Sequence, residues 1–130
     1  MSIDVYFDGG RKVNARFKDF IVKTDQGIKS GGEGSAPDPF SLFLTSLATC
    51  AGVYVQGFCA QREIPSDQIT LNMDYDYDPV VKLITKVKIN INVPAGFPEK
   101  YDSALANAAG LCAVKRHLKE SIETVITIIR

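Results

Sequence analysis

Cys50 and Cys112 are the pair of residues in this chain best suited to chemistry, each lying inside a helical stretch. Only the thiolate of a cysteine is a good nucleophile, so a working thiol needs a cation or a helix terminus beside it. A second cysteine lets an oxidised first one close into a disulfide before it climbs irreversibly to sulfinic acid. If the two meet in the fold, the chain carries a two-cysteine redox centre; if they do not, they are small core hydrophobes. Cys50 sits in mid-helix, where the dipole of its own helix gives little help, so a lowered pKa there requires a cation. Arg11, Arg16 and Arg62 compete for that role. Cys59 lies nearly opposite Cys50 on the helix wheel and reads as structural, as does Tyr54, while Glu33 reads as loop charge. His117 is the single histidine, beside Lys115, Arg116 and Lys119, and this basic cluster reads as a solvated face near a helix end. No metal-ligand set forms around it at familiar spacings.

The elements that must position these residues follow from period and punctuation. Ile3, Val5 and Phe7 alternate with polar residues, Asp8-Gly9-Gly10-Arg11 makes a turn, and Val13, Ala15 and Phe17 resume the alternation, which predicts a β-hairpin. A third short strand runs from Phe20 to Lys23, and residues 30–39 form a Gly-rich loop lacking the lysine of a phosphate-binding loop. Asp38 before Pro39 predicts a helix N-cap. From Phe40 to Gln61 there is no charge, and Leu47, Ala51, Val55 and Phe58 fall on one face with Phe40 and Leu44. So long an uncharged stretch has the length of a membrane span. Its hydroxyl residues, its glycines and the soluble-type strands around it favour burial against a second copy of the chain. Ile69 to Tyr77 and Leu83 to Val93 predict a long antiparallel hairpin with acidic residues on one strand and basic ones on the other. A second helix is expected over Pro98 to Leu111, a short helical piece over Val114 to Glu120, and a closing strand over Ile122 to Ile129. The order β-β-β-α-β-β-α-β is an α+β fold.

Composition narrows the function classes. The 130 residues suit one domain, 1–130, with a real core. Lys plus Arg and Asp plus Glu balance at 15 each, so no global field favours nucleic acid or an anionic membrane. Three cysteines are too few and too odd for a secreted disulfide scaffold, and the start Met-Ser-Ile-Asp-Val has no basic or apolar leader region. A reducing cytoplasm is the expected location.

Three segments together resemble the osmotically inducible protein C and organic hydroperoxide resistance (OsmC/Ohr) family over nearly the full length. They are Gly9-Gly10-Arg11, the run from Ser30 through Asp38-Pro39 to Cys50, and Leu111-Cys112-Ala113-Val114. The resemblance implies an intertwined homodimer with two central helices and active sites at the subunit interface. It implies reduction of organic hydroperoxides, with Cys50 peroxidatic, Cys112 resolving and Arg11 holding the thiolate. It implies no bound cofactor, an external dithiol such as dihydrolipoamide as reductant, and a role in oxidative-stress defence. Two positions depart from the family pattern. Phe40, followed by Ser41, stands where peroxidase members carry a glutamate, and Ala113 stands where proline is common. The alternatives to an enzyme are a dimeric binder of a small apolar ligand in the same cleft and a cysteine redox sensor.

Overall fold

The computed structural model describes residues 1–130, which form two compact units, residues 1–45 and residues 46–130. In the first unit, β1 (Asp4–Phe7), β2 (Val13–Phe17) and β3 (Phe20–Val22) make an antiparallel sheet in the order β1-β2-β3. Asp4 stands opposite Arg16, and Phe17 opposite Phe20. The β1–β2 turn needs left-handed backbone at Gly9 and Gly10 (φ 81° and 56°), which glycine adopts without steric penalty. Asn14, buried in β2, is satisfied on both sides: it donates to Asp8 at 3.0 Å and accepts from the Thr24 amide at 3.3 Å.

The Gly-rich loop is organised around one carboxylate. Asp25 is 1 % exposed and accepts from the Ser35 hydroxyl (2.7 Å) and from the amides of Gln26 (2.8 Å), Ser35 (3.1 Å) and Glu33 (3.2 Å). These donors, led by the Ser35 hydroxyl, hold its carboxyl down to about 2. Gly32 closes the same loop. A Cβ there would lie 2.0 Å from the Gln26 carbonyl oxygen, so only glycine fits.

Helix α1 (Pro39–Gln61) begins in the first unit as the sequence requires. Asp38 accepts from the Ser41 amide at 3.0 Å and from its hydroxyl at 2.8 Å, with Pro39 in the first helical position. In the second unit α1 buries Leu47, Ala51, Val55, Phe58 and Cys59. Phe40 and Leu44, expected on that face, are not buried: Phe40 is 54 % exposed and stacks on Phe43 at 5.7 Å. By length and composition α1 could cross a membrane, and only 28 % of its most apolar window is buried within the chain.

The expected antiparallel hairpin forms from β4 (Thr70–Asp78) and β5 (Leu83–Asn92). Leu71 faces Ile91 and Met73 faces Ile89 on one side, while Asp74 faces Lys88 and Asp76 faces Lys86 on the other. The expected second helix is shorter than Pro98 to Leu111. A 3-10 turn (Glu99–Tyr101) leads into α2 (Asp102–Ala109), which Gly110 ends. A short α3 (Ala113–His117) follows. Phe97 and Leu105 join Val55, Phe58 and Cys59 in the core of this unit.

The closing strand is not formed. Residues 119–130 have no regular secondary structure, and Ile122, Val125, Ile126, Ile128 and Ile129 are all exposed. β-Branched residues favour a strand only where a neighbouring edge and an apolar face receive them. Within the chain none does, so the order of elements ends in α-α. The rest is the expected α+β arrangement of antiparallel sheets and a few helices.

Two outcomes follow. Phe58→Ala should destabilise the chain by about 3 kcal/mol, the usual loss for an aromatic core truncation, read as a lower urea midpoint with unchanged slope. The Asp25 carboxyl is lowered relative to an unfolded aspartate, whose value is 3.8. Its contribution to stability is therefore full above that value, falls between it and about 2, and is gone below. The Glu33 and Ser35 amide resonances should titrate with a midpoint near 2, and Asp25→Asn should remove the titration.

Candidate functional site

The site is built from α1 outward. Ala51 and Val55 are driven into the core, and that rotation of the helix leaves the adjacent Cys50 half-buried at the edge of the packed face. Gly110 ends α2, and Cys112 then serves as the N-cap of α3, its sulfur accepting from the Lys115 amide at 3.5 Å. Cys112 is 2 % exposed. Its thiol is close enough to the Cys50 sulfur to favour that sulfur's ionised form, so the two cysteines meet.

The Cys50 thiol is held below its ordinary value. The largest cause is the backbone amide of Val114, followed by the Cys112 thiol, the amide of Ala113 and the charge of Arg116, with burial opposing them. The start of α3, reached through Cys112, thus does what the Cys50 helix cannot do for its own mid-helix residue. The sequence demanded a cation; the structure supplies two amides and a thiol first, and a cation last.

That cation, Arg116, belongs to the basic cluster that from sequence has the character of a solvated face. The signal for it was its spacing, one helical turn beyond Cys112. Ala113 carries no side-chain signal. Its contribution is an N–H, which proline in that position would lack.

The three arginines named from sequence take separate places. Arg11 is exposed in the β1–β2 turn of the first unit, where its neighbour Lys12 pairs with Glu33 at 2.9 Å. Arg16 lies over the Tyr6 ring at 5.7 Å. Arg62 stacks on Phe58 at 3.6 Å and donates to the Phe58 carbonyl at 3.1 Å, which ties it to the core. Cys59 is fully buried, and burial pushes its thiol up against the pull of Arg62. His117 is exposed, with Nδ1 2.7 Å from the Ala113 carbonyl oxygen. No cluster of His, Cys, Asp or Glu is arranged to hold a metal ion.

Beside Cys112 lies a pocket of about 430 Å³. Leu47 and Ala51 of α1, Val87 and Ile89 of β5 and Ala109 of α2 are among its apolar walls, and Cys112 and Lys115 also line it. Its volume is within the range of small-molecule sites.

Comparison with known proteins agrees with this architecture. The family model described as OsmC-like protein matches residues 32–127. No curated protein matches the chain. Among solved structures, a Psychrobacter arcticus 273-4 protein named for osmotic stress induction and a detoxification response is similar to it, with a TM-score of 0.76 at 22% identity over 89% of this chain and 86% of that one. An OsmC like protein from Mycoplasma pneumoniae has a TM-score of 0.71 at 12% identity, over 91% of this chain and 86% of that one. An organic hydroperoxide resistance protein OsmC from Legionella pneumophila has a TM-score of 0.58 at 18% identity, over 91% and 88%.

The geometry sets an order of thiol reactivity. Iodoacetamide should label Cys50 first and Cys59 last, with the Cys50 rate rising through a midpoint below that of a free cysteine. Ala113→Pro keeps a residue suited to the first helical position but deletes one amide, so this midpoint should move up. Arg116→Ala should move it the same way. An unchanged midpoint in both variants would remove α3 from the account of Cys50.

Proposed function

From the premise that this chain belongs to the OsmC-like protein family, we propose that it is a two-cysteine organic hydroperoxide reductase. The observation that carries the proposal is the meeting of Cys50 and Cys112 at the start of α3, where the Cys50 thiol is held below its ordinary value. The Legionella protein's description as an organic hydroperoxide resistance protein supports the same reading.

The Cys50 thiolate attacks the terminal oxygen of the hydroperoxide. An S–O bond forms, the O–O bond breaks, and the alkoxide leaves. The Cys112 thiol, within reach, protonates the alkoxide and becomes a thiolate. That thiolate attacks the Cys50 sulfenic acid; the S–S bond forms and hydroxide leaves, taking the proton lost when Cys50 first ionised. An external dithiol such as dihydrolipoamide restores both thiols by two exchanges. Arg11, by its place in the family pattern, is the residue proposed to join the thiolate from the β1–β2 turn.

A homodimer is part of the proposal. The exposed apolar surface of α1, with Val53 64 % exposed, and the unpartnered Ile122–Ile129 segment call for a second copy. A cytoplasmic setting fits free thiols that must be re-reduced after each cycle.

Dihydrolipoamide-dependent consumption of cumene hydroperoxide tests the enzyme reading. Cys50→Ser should lose at least a hundredfold in kcat/KM, a loss of about 2.7 kcal/mol or more in transition-state stabilisation. Cys112→Ser should leave a sulfenic acid that dimedone traps, and Arg11→Ala should lower turnover without preventing disulfide formation. Turnover no faster than the free dithiol, from a folded protein, refutes the reading. Sedimentation equilibrium should give twice the chain mass of 14.2 kDa.

A further inference from the structure

The pocket beside Cys112 has one charged group in its lining, and it stands at the sulfur end. Lys115 lies three residues beyond Cys112, and its amide donates to the Cys112 sulfur at 3.5 Å, so ammonium-bearing and thiol-bearing residues share one turn. The remaining walls are aliphatic. Val87, Ile89 and Ile91 point into the pocket from alternate positions of β5, a run of roughly 13 Å at ~3.3 Å per residue. No carboxylate, amide or hydroxyl side chain lines the cavity. Lys115 is exposed overall, and its Nζ lies 3.8 Å from where a Cβ on Gly110, another lining residue, would stand.

An apolar slot with one cation at one end matches an alkyl chain with one anionic end. We propose that this pocket binds straight-chain alkyl ligands through a carboxyl head paired with Lys115. The proposal rests on the peroxidase reading for its second half: the substrates of this site are alkyl peroxycarboxylic acids. Their reduction suits the head group's position. The Cys50 thiolate takes the terminal OH of RCO3H, the O–O bond breaks, and RCO2⁻ leaves beside Lys115. Sulfenic acid and carboxylate are the balanced products, and no proton is needed by the leaving group. An alkyl hydroperoxide, by contrast, must have its alkoxide protonated, which in this site draws on the Cys112 thiol.

Calorimetric titration of the full chain with decanoate and with 1-decanol, at low and high salt, tests the head-group contact. Decanoate should bind roughly fivefold tighter than decanol, the size of a partly exposed ion pair. The gap should narrow with salt and vanish in Lys115→Met, which keeps the alkyl stem. Ala109→Leu, which fills the slot, should weaken both ligands. Equal affinities, a gap that survives in Lys115→Met, or no binding because another part of the chain or a second copy occupies the slot would each overturn the proposal. The peroxide half is read separately, as kcat/KM for peroxydecanoic acid over decyl hydroperoxide. A ratio that falls in Lys115→Met supports it; a ratio unchanged by the substitution overturns it. Decanoate selectivity with no turnover of any peroxide leaves the carboxylate site standing and refutes the peroxidase reading, so the two failures are distinct.

Discussion

The site depends on placing a mid-helix thiol against the start of a different helix. A cysteine in the middle of α1 lies where that helix's own dipole contributes almost nothing, and burial disfavours its charged form. What offsets this is a short segment: Gly110 stops α2, Cys112 turns the chain, and the first amides of α3 point at the Cys50 sulfur. Both requirements fall on backbone geometry. The α1 packing fixes which way Cys50 faces, and the α2–α3 junction fixes what it meets.

The same junction explains why Cys112 is more than a second thiol. As N-cap it accepts the Lys115 amide, so its sulfur helps begin the helix whose amides act on Cys50. Any bond between the two sulfurs would draw on an atom that already has a structural task. Nothing comparable surrounds Cys59, whose sulfur is enclosed by the core of its unit and whose thiol is pushed up by that burial. Two cysteines on one helix thus have opposite chemical characters because half a turn of wheel separates an edge from a core.

Much of this was legible in the residues. Asp38-Pro39 announced the start of α1, the Leu47-Ala51-Val55-Phe58 spacing announced its buried face, and the acidic and basic strands announced the β4–β5 pairing. Each of these signals is local, or concerns strands joined by a short turn. The Asp25 hub was not legible, because an aspartate in a loop looks the same whether its oxygens meet water or four donors. The Ala113 and Val114 amides were invisible for a related reason: backbone donors have no residue type. Lys115 and Arg116 were seen as charges, but their direction is set by where α3 begins. The Ile122–Ile129 run has the composition of a strand, yet strand formation requires an edge, and composition cannot state whether the chain itself offers one.

One departure from the family pattern takes on physical meaning at this junction. Ala113, where the resemblance puts a proline, adds an amide at the Cys50 sulfur. That amide is a dipole already fixed by the fold, whereas a side-chain cation must be ordered and loses rotamer freedom in doing so. Ionisation at Cys50 therefore rests on backbone amides more than on side-chain charge.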